Sequence, residues 1–219
     1  MSWDPSRSFQ RLLLTQVALT LVYPLLGEST GIHFLLGAFL VLALYGGVSV
    51  MVHRPVVMWV TIVLGAMFVG SYWLAEMMDL HRLRVWSSLW GAAFYWFVAI
   101  VLMRYVFSMR SRVDTDLIYG AVSIYLLIGS GFGELYGAFA IADPGAFNGL
   151  EVSNDRDGVA RSMSYFSFVT LTTLGYGDIS PAVQQVKVLA YVEAIIGQFY
   201  LAVLVARLVG THIAQSLDT

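Results

Sequence analysis

Thr170-Leu171-Thr172-Thr173-Leu174-Gly175-Tyr176-Gly177-Asp178 is the stretch that decides how this chain is read. Taken alone it is a glycine-rich turn. Gly175 and Gly177 alternate with bulkier residues, and glycine reaches a positive φ without a Cβ clash. Such a backbone can turn successive carbonyls to one side while its bulkier residues face outward and brace it. The flanks give the turn its setting. Before it, Arg161 to Thr172 is a mostly apolar segment of about three turns, too short to cross a bilayer, which takes ~20 helical residues. After it, Pro181 breaks the chain, and Gln184 to about His212 is long and apolar enough to cross.

Composition agrees with a membrane setting. The chain of 219 residues is 58% hydrophobic and 12% charged, with a mean hydropathy of +0.75, whereas soluble domains carry roughly 25% charged residues. Charge is missing from long blocks and concentrated between them. There are no cysteines, so disulfides and thiolate metal sites are excluded. The net charge of −2 comes with no basic cluster able to grip phosphate, so no nucleic-acid partner is expected.

Working outward, the apolar blocks are Leu12–Leu26 with Pro24 near its end, Ile32–Val52 with His33, Val56–Ala75, Val85–Met103, Asp116–Ala140 and Gln184–His212. The first follows Arg7 and Arg11; with no small-residue cleavage site after it, it reads as a retained span and not as a signal peptide. His53-Arg54-Pro55 closes the second, Glu76 and Asp79 the third, and Arg82, Arg84 and Arg104 bracket the fourth. Trp59, Tyr72, Trp73 and Trp86 lie toward block ends, as interfacial anchors do. In the fifth block, Gly129, Gly131, Gly133 and Gly137 resemble a dinucleotide-binding glycine pattern; no strand precedes them, and small residues here are expected to admit a neighbouring helix. The polar stretch Asp143–Gly158 leads into the short segment before the turn.

With those spans around it, Thr172-Thr173-Leu174-Gly175-Tyr176-Gly177-Asp178 resembles the selectivity filter of the tetrameric potassium channel family, whose signature is T-V-G-Y-G with small variations. The likeness runs from about Asp116 to Ala214 and includes Gly197 and the run Gly197-Gln198-Phe199-Tyr200-Leu201-Ala202. It implies an all-α integral membrane protein of six transmembrane helices, with a re-entrant pore helix and filter between the fifth and sixth. Residues 1–112 would form a four-helix unit and 113–219 the pore. The backbone carbonyls of Thr173, Leu174, Gly175 and Tyr176, with the Thr173 hydroxyl, would bind K+, the permeant ion and not a cofactor, with Gly177 completing the filter. Thr172, Asp178, Tyr165 and Glu193 would support it, and Gly197 would be a gating hinge. One filter per chain implies a homotetramer set in membrane lipid.

The resemblance also fixes an orientation. A pore loop entering from outside puts both termini in the cytoplasm, with the chain multi-pass in the plasma (inner) membrane. Seven arginines (Arg7, Arg11, Arg54, Arg104, Arg110, Arg112, Arg207) then lie inside, against five basic residues (Arg82, Arg84, Arg156, Arg161, Lys187) outside, a mild positive-inside bias. With seven residues after the sixth span, no soluble ligand domain is expected.

Two departures from the family matter. Some members carry a pore-helix carboxylate where this chain has Val169, so bracing of Asp178 must come from elsewhere, with Tyr165 the candidate. Voltage-gated members repeat arginine through the fourth span, and Val85–Met103 has none. Glu193, alone in the sixth span, is expected to bond polar pore-helix atoms behind the filter. The alternatives are a potassium transporter subunit, against which one full G-Y-G argues, and a nonselective cation channel, against which Tyr176 argues. An enzyme is not expected, because the charge-free blocks offer no facing acid–base or metal ligands.

Overall fold

The structure, a computed structural model, describes residues 8–22, 55–108, 115–150 and 156–217. Pro24, the expected second span at 32–52, and Arg7, Arg54, Arg110 and Arg112 lie outside the described residues. In chain order the elements are α1 (Ser8–Val22), α2 (Pro55–Met78), α3 (His81–Ser108), α4 (Thr115–Ala142), β1 (Phe147–Asn148), α5 (Arg156–Leu171), β2 (Ser180–Pro181) and α6 (Gln184–Leu217). Among the described residues four helices, α2, α3, α4 and α6, are long and apolar enough to cross a membrane. α1 is described over 15 residues and α5 over 16, both short of a crossing.

Local chemistry explains the ends. α2 starts on Pro55, which lacks the N–H that the first turn leaves unsatisfied anyway. It stops at Asp79, held left-handed at φ 48, a conformation short polar side chains tolerate. Arg84 pairs with Asp79 across this turn, and the short connection makes α2 and α3 antiparallel neighbours. α3 and α5 begin earlier than their apolar blocks, at His81 and Arg156, because polar first turns carry the helix beyond its apolar face.

α4 is the centre of the assembly, packing on α1, α3, α5 and α6. Of its spanning window 61% is buried, against 17% for α2 and α6. Its glycines set the spacing. A Cβ on Gly129 would stand 2.5 Å from the Phe168 ring of α5, and one on Gly133 3.2 Å from the Ser164 Cα. Gly131, pointing another way, receives the Trp96 indole of α3. Phe9 of α1 covers Gly120 in the same manner.

One continuous core joins these helices. Phe9 and Leu12 of α1, Phe94, Val98 and Leu102 of α3, Ile124, Leu127 and Tyr136 of α4, Met163 and Phe166 of α5, and Tyr200 of α6 all belong to it. In lipid, which is as apolar as these side chains, close fit and interhelical hydrogen bonds select such an arrangement more than exclusion of water does. The aromatic knot behind α5 is the densest part: Tyr136, Phe147 and Phe166 meet edge to face at centroid distances of 5.0–6.0 Å.

Candidate functional site

The site begins where α5 stops. Leu174 N–H donates to the Val169 carbonyl at 2.9 Å, and Thr173 N–H donates to the Thr170 carbonyl at 2.9 Å. These are the nested bonds of a Schellman end, which requires a left-handed residue at the first position past the helix, usually glycine. Here that residue is Thr173, at φ 59. A β-branched residue in this region is a strained exception, at roughly 1–2 kcal/mol. Two bonds hold it: its hydroxyl donates to the Thr172 carbonyl at 2.7 Å and accepts from Gln198 Nε2 at 3.1 Å. Thr172 completes the cap, its hydroxyl donating to the Phe168 carbonyl at 2.7 Å.

Beyond the cap the handedness alternates. Thr173, Gly175 and Gly177 have φ of 59, 58 and 80, while Leu174 and Tyr176 between them stay at negative φ. Alternating hands bring successive N–H groups to one side of a chain and the carbonyls to the other. Nothing crowds a Cβ at Gly175 or Gly177, so handedness, and not space, demands glycine there. Among the described residues no hydrogen bond ends on the carbonyl oxygens of Thr173, Leu174, Gly175 or Tyr176. All of residues 172–178 are exposed on the protomer.

The end of the segment at Asp178 is clamped twice. Tyr165 of α5 donates its hydroxyl to Asp178 Oδ2 at 2.7 Å. That bond holds the Asp178 carboxyl below the usual carboxylate range, assisted by the Ile179 and Asp178 N–H groups against the opposing effect of desolvation. The same bond raises the Tyr165 phenol. Behind them β1 and β2 pair antiparallel, Phe147 opposite Pro181 and Asn148 opposite Ser180, and Ala182 N–H donates to the Ala146 carbonyl at 2.8 Å. Gly149 has φ 74, and any Cβ on it would run into the Asp178 carbonyl. The loop before α5 is therefore pressed against the exit of the turn.

On the buried side stands Glu193, fully enclosed. Its Oε2 accepts from Tyr136 of α4 at 2.7 Å, and its Oε1 meets the Ser167 hydroxyl of α5 at 2.5 Å; the Ser167 oxygen also lies 2.7 Å from the Gly129 carbonyl. One carboxyl thus ties three helices together behind the turn. The end of the segment next to α5 is fastened by backbone. Gly197 of α6 sits so close to the Leu171 carbonyl that a Cβ would overlap it, and the same carbonyl accepts from Tyr125 at 3.1 Å. One turn on, Tyr200 donates to the Ala121 carbonyl at 2.6 Å.

The candidate site residues read from the sequence therefore lie around one segment, with Tyr165 and Asp178 at one end, Gly197 at the other and Glu193 behind. Sequence reasoning missed Tyr136, Ser167, Gly149 and the part played by Gln198. Gln198 had a legible signal, a polar side chain inside an apolar helix. Tyr136 and Gly149 had none, because their roles depend on residues far along the chain.

Comparison with known proteins points to the same segment. Residues 152–212, covering α5, the turn and most of α6, match a family model described as "Ion channel". A relative, "Protein LctB" of Bacillus caldotenax, is 29% identical over 126 residues, 53% of this chain and 93% of that protein. No solved structure matches. Helices long and apolar enough to span, joined to a segment that matches an ion-channel family model, mark this as a membrane protein whose residues 152–212 are similar to that family.

Proposed function

We propose that this chain is one subunit of a homotetrameric potassium channel in the plasma (inner) membrane, conducting K+ passively between four copies of the Thr173–Gly177 segment. The observation that carries the reading is the left-handed backbone at every second position, Thr173, Gly175 and Gly177. Among the described residues, the carbonyls of Thr173, Leu174, Gly175 and Tyr176 accept no hydrogen bond. A cation that sheds its water needs a row of such carbonyls, supplied as rings of oxygen by symmetric copies.

Other features support the reading. Leu174 and Tyr176 are 55% and 67% exposed on the protomer, large side chains that neighbouring copies would cover. α5 ends at the segment, so the negative end of its dipole faces the inner approach, where a hydrated cation would wait. Asp178 and Asp143 lie at the opposite, outer mouth and would concentrate cations there. The helices before α4 then serve as scaffold around the pore, and both termini face the cytoplasm.

Cation uptake into liposomes containing only the purified protein tests the proposal. Potassium is expected to enter far faster than sodium. Gly175→Ala and Tyr176→Ala are expected to abolish that preference while leaving the protein folded in the membrane. Equal sodium and potassium entry in the unaltered protein would overturn selectivity, and retained preference in both variants would overturn the filter assignment.

A further inference from the structure

We propose that Gln198 is a positioning residue for the innermost cation site, acting through the Thr173 hydroxyl. The inference rests on the filter reading above and adds to it a residue from the lining helix. A hydroxyl has one proton and two acceptor lone pairs. The Thr173 proton is committed to the Thr172 carbonyl at 2.7 Å, so its 3.1 Å contact with Gln198 is donated by the amide nitrogen. That leaves one lone pair per chain. The hydroxyl is held by two bonds and presents its remaining lone pair, and not its proton, to a cation.

The backbone around Gln198 is fixed by its neighbours. Gly197, one residue before, abuts the Leu171 carbonyl, and Tyr200, two residues after, donates to the Ala121 carbonyl at 2.6 Å. The amide therefore approaches Thr173 from a helix whose register is set on both sides. It also offsets strain. Thr173 occupies the left-handed region that β-branched residues avoid, and such conformations persist where surrounding contacts over-determine them. The ligand class that gains is a largely dehydrated monovalent cation of potassium's size arriving from the inner side.

Barium, a divalent cation of nearly potassium's size, is a probe that reports binding without conduction. Its affinity for the purified tetramer in lipid nanodiscs, measured by calorimetry in potassium-free buffer, is compared across Gln198→Met, Thr173→Val and the double variant, alongside potassium and sodium uptake in liposomes. Gln198→Met keeps the side-chain volume and removes the donor. It is expected to weaken barium binding about tenfold, ~1.4 kcal/mol, the order of one hydrogen bond, with the variant still folded at the assay temperature. Adding it to Thr173→Val is expected to produce no further loss, because both remove one interaction. Gln198→Asn, whose amide falls a methylene short, provides the same reading if the methionine variant does not fold. Barium affinity within twofold of the unaltered protein, or additive losses in the double variant, would overturn the role of Gln198 while potassium selectivity stands. Absence of barium binding together with equal sodium and potassium entry in the unaltered protein would overturn the filter reading and this inference with it.

Discussion

The Tyr136 hydroxyl donates to Glu193 Oε2 at 2.7 Å, across 57 residues of chain, in a pocket where the glutamate is fully enclosed. Ser167 occupies the other carboxyl oxygen at 2.5 Å, so α4, α5 and α6 are tied at one point. Tyr136→Phe removes one bond and leaves the aromatic packing on Phe166 and Phe147 in place. Its expected cost lies between ~0.6 kcal/mol, typical of hydrogen bonds within membrane proteins, and ~3 kcal/mol for a buried acceptor left unpaired. Glu193→Leu strands the Tyr136 hydroxyl, leaves Ser167 only the Gly129 carbonyl, and is expected to cost more. Unfolding midpoints of the purified protein check the order: unaltered, then Tyr136→Phe, then Glu193→Leu. Equal midpoints would show that this knot carries no stability.

Gly197 gives a second expectation, and here the structure sharpens the sequence reading. A hinge glycine replaced by alanine alters opening and leaves the filter alone. Gly197, however, is in contact with the Leu171 carbonyl at the end of α5, where a methyl group has no room. Gly197→Ala is therefore expected to push α6 from α5, lowering both the unfolding midpoint and the preference for potassium over sodium. If only open probability changes, bending and not packing is the role of this glycine.

Outer acidification tests the Tyr165–Asp178 clamp. The folded pKa of Asp178 is depressed, chiefly by the Tyr165 hydroxyl. A depressed carboxylate contributes stability that is present above its unfolded pKa, about 3.9, and lost as pH falls through the lower folded value. Potassium flux is thus expected to survive outer pH near 4 and to fail only below it. Tyr165→Phe removes the main cause and should move the loss upward, toward the ordinary carboxylate range. An unshifted acid midpoint in that variant would show that the contact does not hold the outer mouth.

Voltage dependence is expected to be shallow. Moving a charge across the membrane is worth roughly 2.3 kcal/mol per 100 mV, and voltage-sensing proteins use about three to four such charges per subunit. In α3, Arg84 and Arg104 have no charged residue between them. At 1.5 Å per residue they stand about 30 Å apart, the thickness of the hydrocarbon layer, so they sit at opposite interfaces where the field does little work on them. Gating-current recording is the check. Several charges moving per subunit would contradict this placement of α3.

How much was legible beforehand depends on whether a feature is local. The glycines at 175 and 177 could be read directly, since each answers a demand of its own backbone. The blocks that became α2, α3, α4 and α6 were equally plain, because crossing a bilayer requires an uninterrupted apolar run whatever surrounds it. Helix starts were less so: α5 begins at Arg156, five residues before its apolar face, because a polar turn carries no periodic signal.

By itself, then, the sequence determined four spanning stretches among the described residues, the alternating turn and the missing charges of α3, all of which follow from the chemistry of neighbouring residues. Only the tertiary structure decided that Thr173 and not a glycine ends α5, with the Gln198 amide holding its hydroxyl. The same is true of Gly149 against Asp178 and of Tyr136 and Ser167 as the partners of Glu193. These contacts join residues 25 to 57 positions apart. Close packing brings such residues together through the fit of whole helices, and the pattern along one helix does not specify what lies across from it.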